Sequence, residues 1–165
     1  MRNTMKTVLA ALAALALIPT MATAALRVGS PFPGTVTATT YYSSGAFHGA
    51  VDISSGRCGY WSVVSPFAGS VSWNITIRST LLSCTTPSQN TAVHTWADGW
   101  TFRITHFLKS AASYDKTCDR CELGLEGNHT HFGQDKAGTY DTSWYSGYTT
   151  KGEAIDAGEV IGVLN

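Results

Sequence analysis

The chain has 165 residues with 11 basic and 11 acidic side chains, so its formal net charge is zero. Only 13% of the residues are charged, whereas 11% are aromatic. This balance excludes the strongly basic surface typical of nucleic-acid-binding proteins, and the length suits one domain with one hydrophobic core. We therefore expect a monomer with no nucleic-acid partner.

The N-terminus has the three parts of a secretory signal peptide. Arg2 and Lys6 make the start basic, an apolar run follows, and Ala22-Thr23-Ala24 supplies the small residues of a cleavage site. The apolar run is too short for a membrane-spanning helix. The sequence thus predicts a leader at residues 1–24 and an exported domain at residues 25–165. We expect a secreted or periplasmic protein with no membrane insertion after cleavage.

The exported part alternates short β-branched runs with glycine- and proline-containing turns, which is typical of an antiparallel β protein. The clearest hairpin joins Ala92–Thr95 to Trp100–Phe107 through an Asp98-Gly99 turn. The other predicted strands, in chain order, lie around Val36–Thr40, His48–Asp52, Val63–Val64, Ser70–Ile77 and two short pieces between Lys151 and Gly162. No helical period follows the leader. The predicted fold class is all-β, mostly antiparallel, in a single compact domain.

The segment 109–151 differs from the rest of the exported domain. It is long, polar and rich in turn residues, and it carries Cys118-x-x-Cys121 and His129-Thr130-His131. Loops of this length inside a compact domain are usually functional or disordered. We therefore predict that residues 109–151 form a long loop insertion.

All four cysteines lie in the exported part, where disulfides are the default. Three pairings are possible. The closeness of Cys118 and Cys121 among charged residues favours Cys118–Cys121 together with Cys58–Cys84. An alternative interpretation combines Cys118, Cys121, His129 and His131 in a second zinc site.

His48 and Asp52 are the first candidate functional residues. If residues 48–52 form a strand, these two side chains lie on one face, because side chains alternate along a strand. An imidazole and a carboxylate on the same face supply two of the ligands of a mononuclear zinc site.

The order of several short motifs resembles that of the lysostaphin-like zinc metallopeptidases, the LytM family. The motifs are His48-x-x-x-Asp52, Ser65–Val71 as a strand turn, Val93-His94 with Asp98-Gly99 and Thr105–Leu108 as a hairpin, and Ala157–Gly162 as a glycine turn. The resemblance covers residues 39–165 except the insertion. It implies a compact β-sheet peptidase domain of that family's type.

The resemblance also implies the roles of individual residues. His48 and Asp52 match two zinc ligands, and His106 matches an active-site histidine that orients water or stabilises an oxyanion. The family's remaining motif, H-x-H, supplies the third zinc ligand and a catalytic partner. Either this motif lies beyond Asn165 in a longer chain, or His129-Thr130-His131 provides it, with His129 catalytic and His131 as the ligand.

The activity that the resemblance implies is zinc-dependent hydrolysis of the peptide bonds of bacterial peptidoglycan. Zn²⁺ is the implied cofactor and a peptidoglycan peptide the implied substrate. An alternative is a catalytically inactive module of the same family that binds cell wall or regulates other wall hydrolases.

Overall fold

The structure, a computed structural model, describes residues 25–96 and 98–165, so the expected leader at residues 1–24 lies outside it. The expected all-β class is confirmed: thirteen strands and one short 3₁₀ helix make up the regular structure of the described ranges. Within those ranges, no helix is long and apolar enough to cross a membrane. The strands are β1 (Leu26–Gly29), β2 (Gly34–Ala38), β3 (Ala50–Ser54), β4 (Ser62–Val64), β5 (Ser70–Thr76), β6 (Thr91–Thr95), β7 (Thr101–Thr105), β8 (Tyr114–Asp119), β9 (Glu122–Leu125), β10 (Thr130–Lys136), β11 (Thr139–Asp141), β12 (Ala154–Ile155) and β13 (Val160–Leu164), and the 3₁₀ helix is Ser143–Tyr145.

One large antiparallel sheet dominates the fold. Its strand order is β12-β2-β3-β10-β7-β6-β5-β8, and β11 pairs with the C-terminal half of β10. Two smaller ribbons, β1–β13 and β4–β9, accompany it. Strands distant in sequence are therefore neighbours, and β3, β10 and β7 lie side by side in the middle of the sheet.

The hydrophobic core follows from the alternation of side chains along the central strands. Phe132 on β10 is paired with Val51 on β3 and with Ile104 on β7, and all three side chains are fully buried. Paired residues of adjacent strands lie on the same face of a sheet. The neighbouring position on β10, His131, is paired with Asp52 and therefore lies with it on the opposite face.

The expected hairpin around Asp98-Gly99 is confirmed. Strands β6 and β7 pair from Thr91–Thr105 to Thr95–Thr101. Asp98 and Gly99 have φ values of 45° and 81°. These left-handed conformations suit Asp and Gly in tight hairpin turns.

The expectation of a loop insertion at residues 109–151 is wrong. This segment holds β8, β9, β10 and β11, and β10 occupies the sheet position between β3 and β7. Apolar alternation does not reveal β10, because the core-facing positions around Phe132 are the polar residues Thr130 and Gln134, both buried.

The expected strand at residues 48–52 begins only at Ala50. Gly49 has a φ of 71°, which glycine adopts without steric cost, and the amides of His48 and Gly49 both donate to the Thr40 carbonyl. The chain therefore bends sharply before β3. His48 and Asp52 approach each other through this bend and not through strand alternation.

Both favoured disulfides are present, Cys58–Cys84 and Cys118–Cys121. A cysteine in a disulfide has no thiolate to offer a metal. The alternative second zinc site with Cys118 and Cys121 as ligands is therefore wrong.

Gly162 on β13 packs directly beneath the indole ring of the buried Trp144. A Cβ at this position would overlap ring atoms and the carbonyl oxygen of Trp144. We expect Gly162→Ala to lower the free energy of unfolding by about 2 kcal/mol or more, the usual cost of overpacking a core. Urea unfolding measures this change. Gly29→Ala on the paired strand β1 is the matched control, because its Cβ would meet only ordinary contacts at 3.5 Å; equal losses in both variants would contradict the prediction.

Candidate metal centre

Three side chains converge on one point on the face of the sheet where β3 and β10 pair. The Nε2 atom of His48 is 2.9 Å from Nδ1 of His131 and 3.2 Å from Oδ1 of Asp52. Nδ1 of His131 is 3.0 Å from the same Asp52 oxygen. Ligands at 2.0–2.1 Å from a tetrahedral Zn²⁺ are separated from each other by about 3.3 Å. The three atoms are therefore close to the spacing of one face of a zinc tetrahedron.

The tautomer of His48 suits a metal ligand. Its Nδ1 atom is 2.7 Å from the Thr39 carbonyl oxygen. A carbonyl oxygen only accepts, so Nδ1 carries the proton and donates it. This leaves the lone pair of Nε2 directed at Asp52 and His131. A backbone carbonyl that holds the second ring nitrogen is a common support for metal-binding histidine.

The charges of the cluster also fit a cation. Nε2 of neutral His48 and Oδ1 of Asp52 both accept hydrogen bonds, so a proton on Nδ1 of His131 is the group that satisfies them. All three residues are largely buried, where unpaired acceptors are costly. Zn²⁺ in place of that proton would give the three acceptor atoms a common partner. The residues present therefore fit the metal that the family resemblance implies.

The Asp52 carboxylate is held in its charged form. Burial would raise its pKa, but the contacts of the carboxylate with the imidazoles of His131 and His48 outweigh burial and hold the pKa of Asp52 well below its usual range. Burial has the opposite effect on His48 and lowers its pKa, but the contact with the Asp52 carboxylate has the larger effect, so the pKa of His48 is raised. An ionised carboxylate at this position is the state that a metal requires.

His106 lies beside the cluster, directly after β7. Its Nδ1 atom is 2.5 Å from the Ser88 carbonyl oxygen, so this nitrogen donates and Nε2 retains its lone pair. The backbone has a φ of 71°, an uncommon value for a residue with a side chain. Such conformations persist where surrounding contacts enforce them, and they concentrate at functional sites.

His129 completes the group from the residue before β10. Its ring centroid is 4.7 Å from that of His106, and its Nε2 is 3.8 Å from Oδ2 of Asp52. Burial lowers the pKa of both His106 and His129. Two neutral imidazoles thus flank the three convergent ligand atoms.

Asn90 anchors the segment that orients His106. The Asn90 carbonyl accepts the His106 amide at 3.1 Å, and its buried side-chain amide donates to the carbonyls of Ser79 and Phe107. Its Oδ1 accepts the amides of Arg78 and Ser79. Asn90 therefore connects the backbone at Arg78 and Ser79 to the backbone at His106 and Phe107 and holds the Ser88 segment between them.

The glycine before the H-x-H motif allows a close backbone approach. A Cβ on Gly127 would overlap the carbonyl oxygen of His106. We expect Gly127→Ala to displace His106 and to lower the free energy of unfolding by about 1–3 kcal/mol. Urea unfolding measures the loss. A stable variant with wild-type properties would show that the contact has no role.

The structure thus brings together all five residues singled out from the sequence, His48, Asp52, His106, His129 and His131. His129 and His131 reach the site from inside the described chain, because β10 is the neighbour of β3. The supporting carbonyls of Thr39 and Ser88 are not among the sequence candidates, since a backbone acceptor leaves no signal in the residue type. The remaining histidine, His94, packs against Phe67 and Trp73 and bonds the Ser72 carbonyl, which is a structural role.

No protein-family model matches the chain, and no curated protein matches it.

Proposed function

We propose that the protein is an exported zinc metalloendopeptidase that hydrolyses peptide bonds of bacterial peptidoglycan. The observation that carries the proposal is the clustering of four of the five histidines around one buried carboxylate. His48, Asp52 and His131 supply the convergent ligand atoms. The neutral imidazoles of His106 and His129 lie beside them. Amide hydrolysis requires both kinds of group, a metal centre and proton-transferring residues.

His48, Asp52 and His131 would hold the metal. A bound Zn²⁺ supplies Lewis acidity, lowering the pKa of water towards neutrality and polarising a carbonyl oxygen. These three protein ligands would leave room for water or substrate on the metal, as in catalytic zinc sites.

His106 and His129 would handle the protons. The Ser88 carbonyl fixes His106 with its Nε2 lone pair free, so this nitrogen can take a proton from the attacking water and deliver it to the leaving amine. His129, whose ring centroid is 4.7 Å from that of His106, would donate a hydrogen bond to the oxyanion that develops on the substrate carbonyl. The choice of peptidoglycan as substrate rests on the family resemblance and on the expected export.

Incubating the zinc-loaded protein with purified peptidoglycan tests the proposal. We expect new free amines to appear with time, and no release after removal of the metal with a chelator or in a His48→Ala variant. His94→Ala is the matched control, because this histidine lies outside the cluster and its loss should leave the release rate within about twofold.

Two outcomes would overturn the enzyme proposal. If the wild type and the His48→Ala variant release amines at the same rate, the metal site has no part in the reaction. Stoichiometric zinc without any release would favour a non-catalytic wall-binding module built on the same site.

A further inference from the structure

A groove of about 700 Å³ lies next to the metal centre. One side is formed by Thr39 and Thr40, and the other by the segment from Tyr140 to Lys151. Thr39 belongs to both places, because its carbonyl accepts the Nδ1 proton of His48. Thr39 therefore connects the groove to His48, one of the proposed metal ligands.

The walls of the groove are rich in hydroxyl groups and carry little charge. The lining residues that carry a hydroxyl are Thr39, Thr40, Tyr140, Thr142, Ser143, Tyr145, Ser146, Thr149 and Thr150. The hydroxyls of Thr40 and Tyr145 bond each other, and that of Thr149 donates to the Ile161 carbonyl. Among the described residues that line it, only Asp141 and Lys151 are charged, and their charges cancel. Both have partners: Asp141 accepts the Ser143 amide, and Lys151 donates to the Ser43 hydroxyl. Such walls suit a neutral ligand with many hydroxyls better than a peptide with free carboxylates and ammonium groups.

Exposed aromatic rings border the same groove. Tyr140 is 51% exposed, and Phe47 and Tyr41 are 54% and 57% exposed. The rings support each other edge to face, with centroids 6.0 Å apart for Phe47–Tyr140 and 5.8 Å for Tyr41–Phe47. Large rings that stay exposed next to a groove are typical of binding surfaces.

The position of Phe47 is fixed by the backbone. The residue forms an antiparallel bridge with Tyr41, at the base of a tight turn in which the Tyr42 amide donates to the Ala46 carbonyl. The Phe47 ring also lies against Gly49, where a Cβ would come within 2.8 Å of two ring carbons. A ring held in this way binds a ligand with little loss of conformational entropy.

We infer that this groove is a subsite for the glycan strand of the substrate, with Tyr140 and Phe47 as the rings on which sugar residues stack. A pyranose presents C–H groups on its flat face and hydroxyls at its rim. The negative face of an aromatic ring attracts such C–H groups, and the threonine and serine hydroxyls match the rim. The inference rests on the proposed function for the identity of the polymer, but sugar binding itself requires no metal and no catalysis.

The test is a calorimetric or NMR titration of the metal-free protein with the β-1,4-linked trimer of N-acetylglucosamine. We expect saturable binding that Tyr140→Ala weakens about tenfold and Tyr140→Phe leaves nearly unchanged, because the phenylalanine retains the ring. Tyr60→Ala is the matched control: Tyr60 is 62% exposed and contacts Arg57 and Trp61, away from the groove lining.

The His131→Ala variant separates this inference from the proposed function. Retained sugar binding in that variant supports the subsite even if the enzyme proposal fails. Absence of saturable binding would overturn the inference, as would an equal loss in Tyr60→Ala. Displacement of the groove resonances by a sugar-free stem peptide, with no response to the trimer, would overturn it in favour of a peptide subsite.

Discussion

Replacing His131 with alanine is expected to reduce bound zinc from about one ion per chain to nearly none. The variant retains only His48 and Asp52, and catalytic zinc sites require three protein ligands. His129→Ala should instead keep the metal, because Nε2 of His129 is 3.8 Å from Asp52 and outside the convergent group. If the proposed hydrolysis of peptidoglycan occurs, its rate in this variant should fall by a factor of about 10²–10⁴, the usual contribution of one acid–base group.

Elemental analysis and the rate of amine release, measured on the same preparations, check these two expectations. His94→Ala is again the control for the loss of an imidazole. The division of roles within the H-x-H motif is wrong if both variants lose zinc equally, since His129 would then be a ligand. It is also wrong if His131→Ala keeps its zinc.

Asn90→Ala is expected to cause the largest loss of stability among single polar substitutions near the site. All four hydrogen-bonding positions of the Asn90 side-chain amide are used, two as donors and two as acceptors, and each partner is a backbone group. The residue is fully buried. Its removal leaves several backbone groups without partners, at about 1–3 kcal/mol each before relaxation. We expect the free energy of unfolding to fall by about 4 kcal/mol.

Urea unfolding, with an unchanged dependence on denaturant, measures this loss. Asn74→Ala is the matched control, because its amide makes an exposed bond to Asp115 and should cost less than about 0.5 kcal/mol. A loss below about 1 kcal/mol in Asn90→Ala would mean that water replaces the missing amide.

Local patterns in the sequence predict those strands whose two faces differ in polarity. The β6–β7 hairpin is an example: buried Phe102 and Ile104 alternate with partly exposed neighbours, and Asp98-Gly99 marks the turn. Strand β10 lacks this contrast, because Thr130 and Gln134 are buried on its core face. Its place in the sheet depends on pairing with β3 and β7, which no local pattern contains.

The candidate site is predicted in part for a similar reason. His48 and Asp52 are close in sequence, so their spacing alone makes them candidates. His131 is 79 residues beyond Asp52, and only the order of strands brings it there. The bend at Gly49 and the positive φ of His106 are enforced by tertiary contacts and are not visible as residue preferences.

Because β10 lies next to β3 in the middle of the sheet, the proposed metal would act as a reversible cross-link between two distant parts of the chain. Zinc held by Asp52 and His131 would join points 79 residues apart, whereas the two disulfides join cysteines separated by 26 and 3 residues. The entropy lost when a loop is closed increases with the length of the loop. A metal that binds only the folded chain stabilises the folded state in proportion to the logarithm of the free metal concentration. The resistance of this protein to unfolding would thus follow the zinc supply of its surroundings, in a way that its permanent covalent bridges do not.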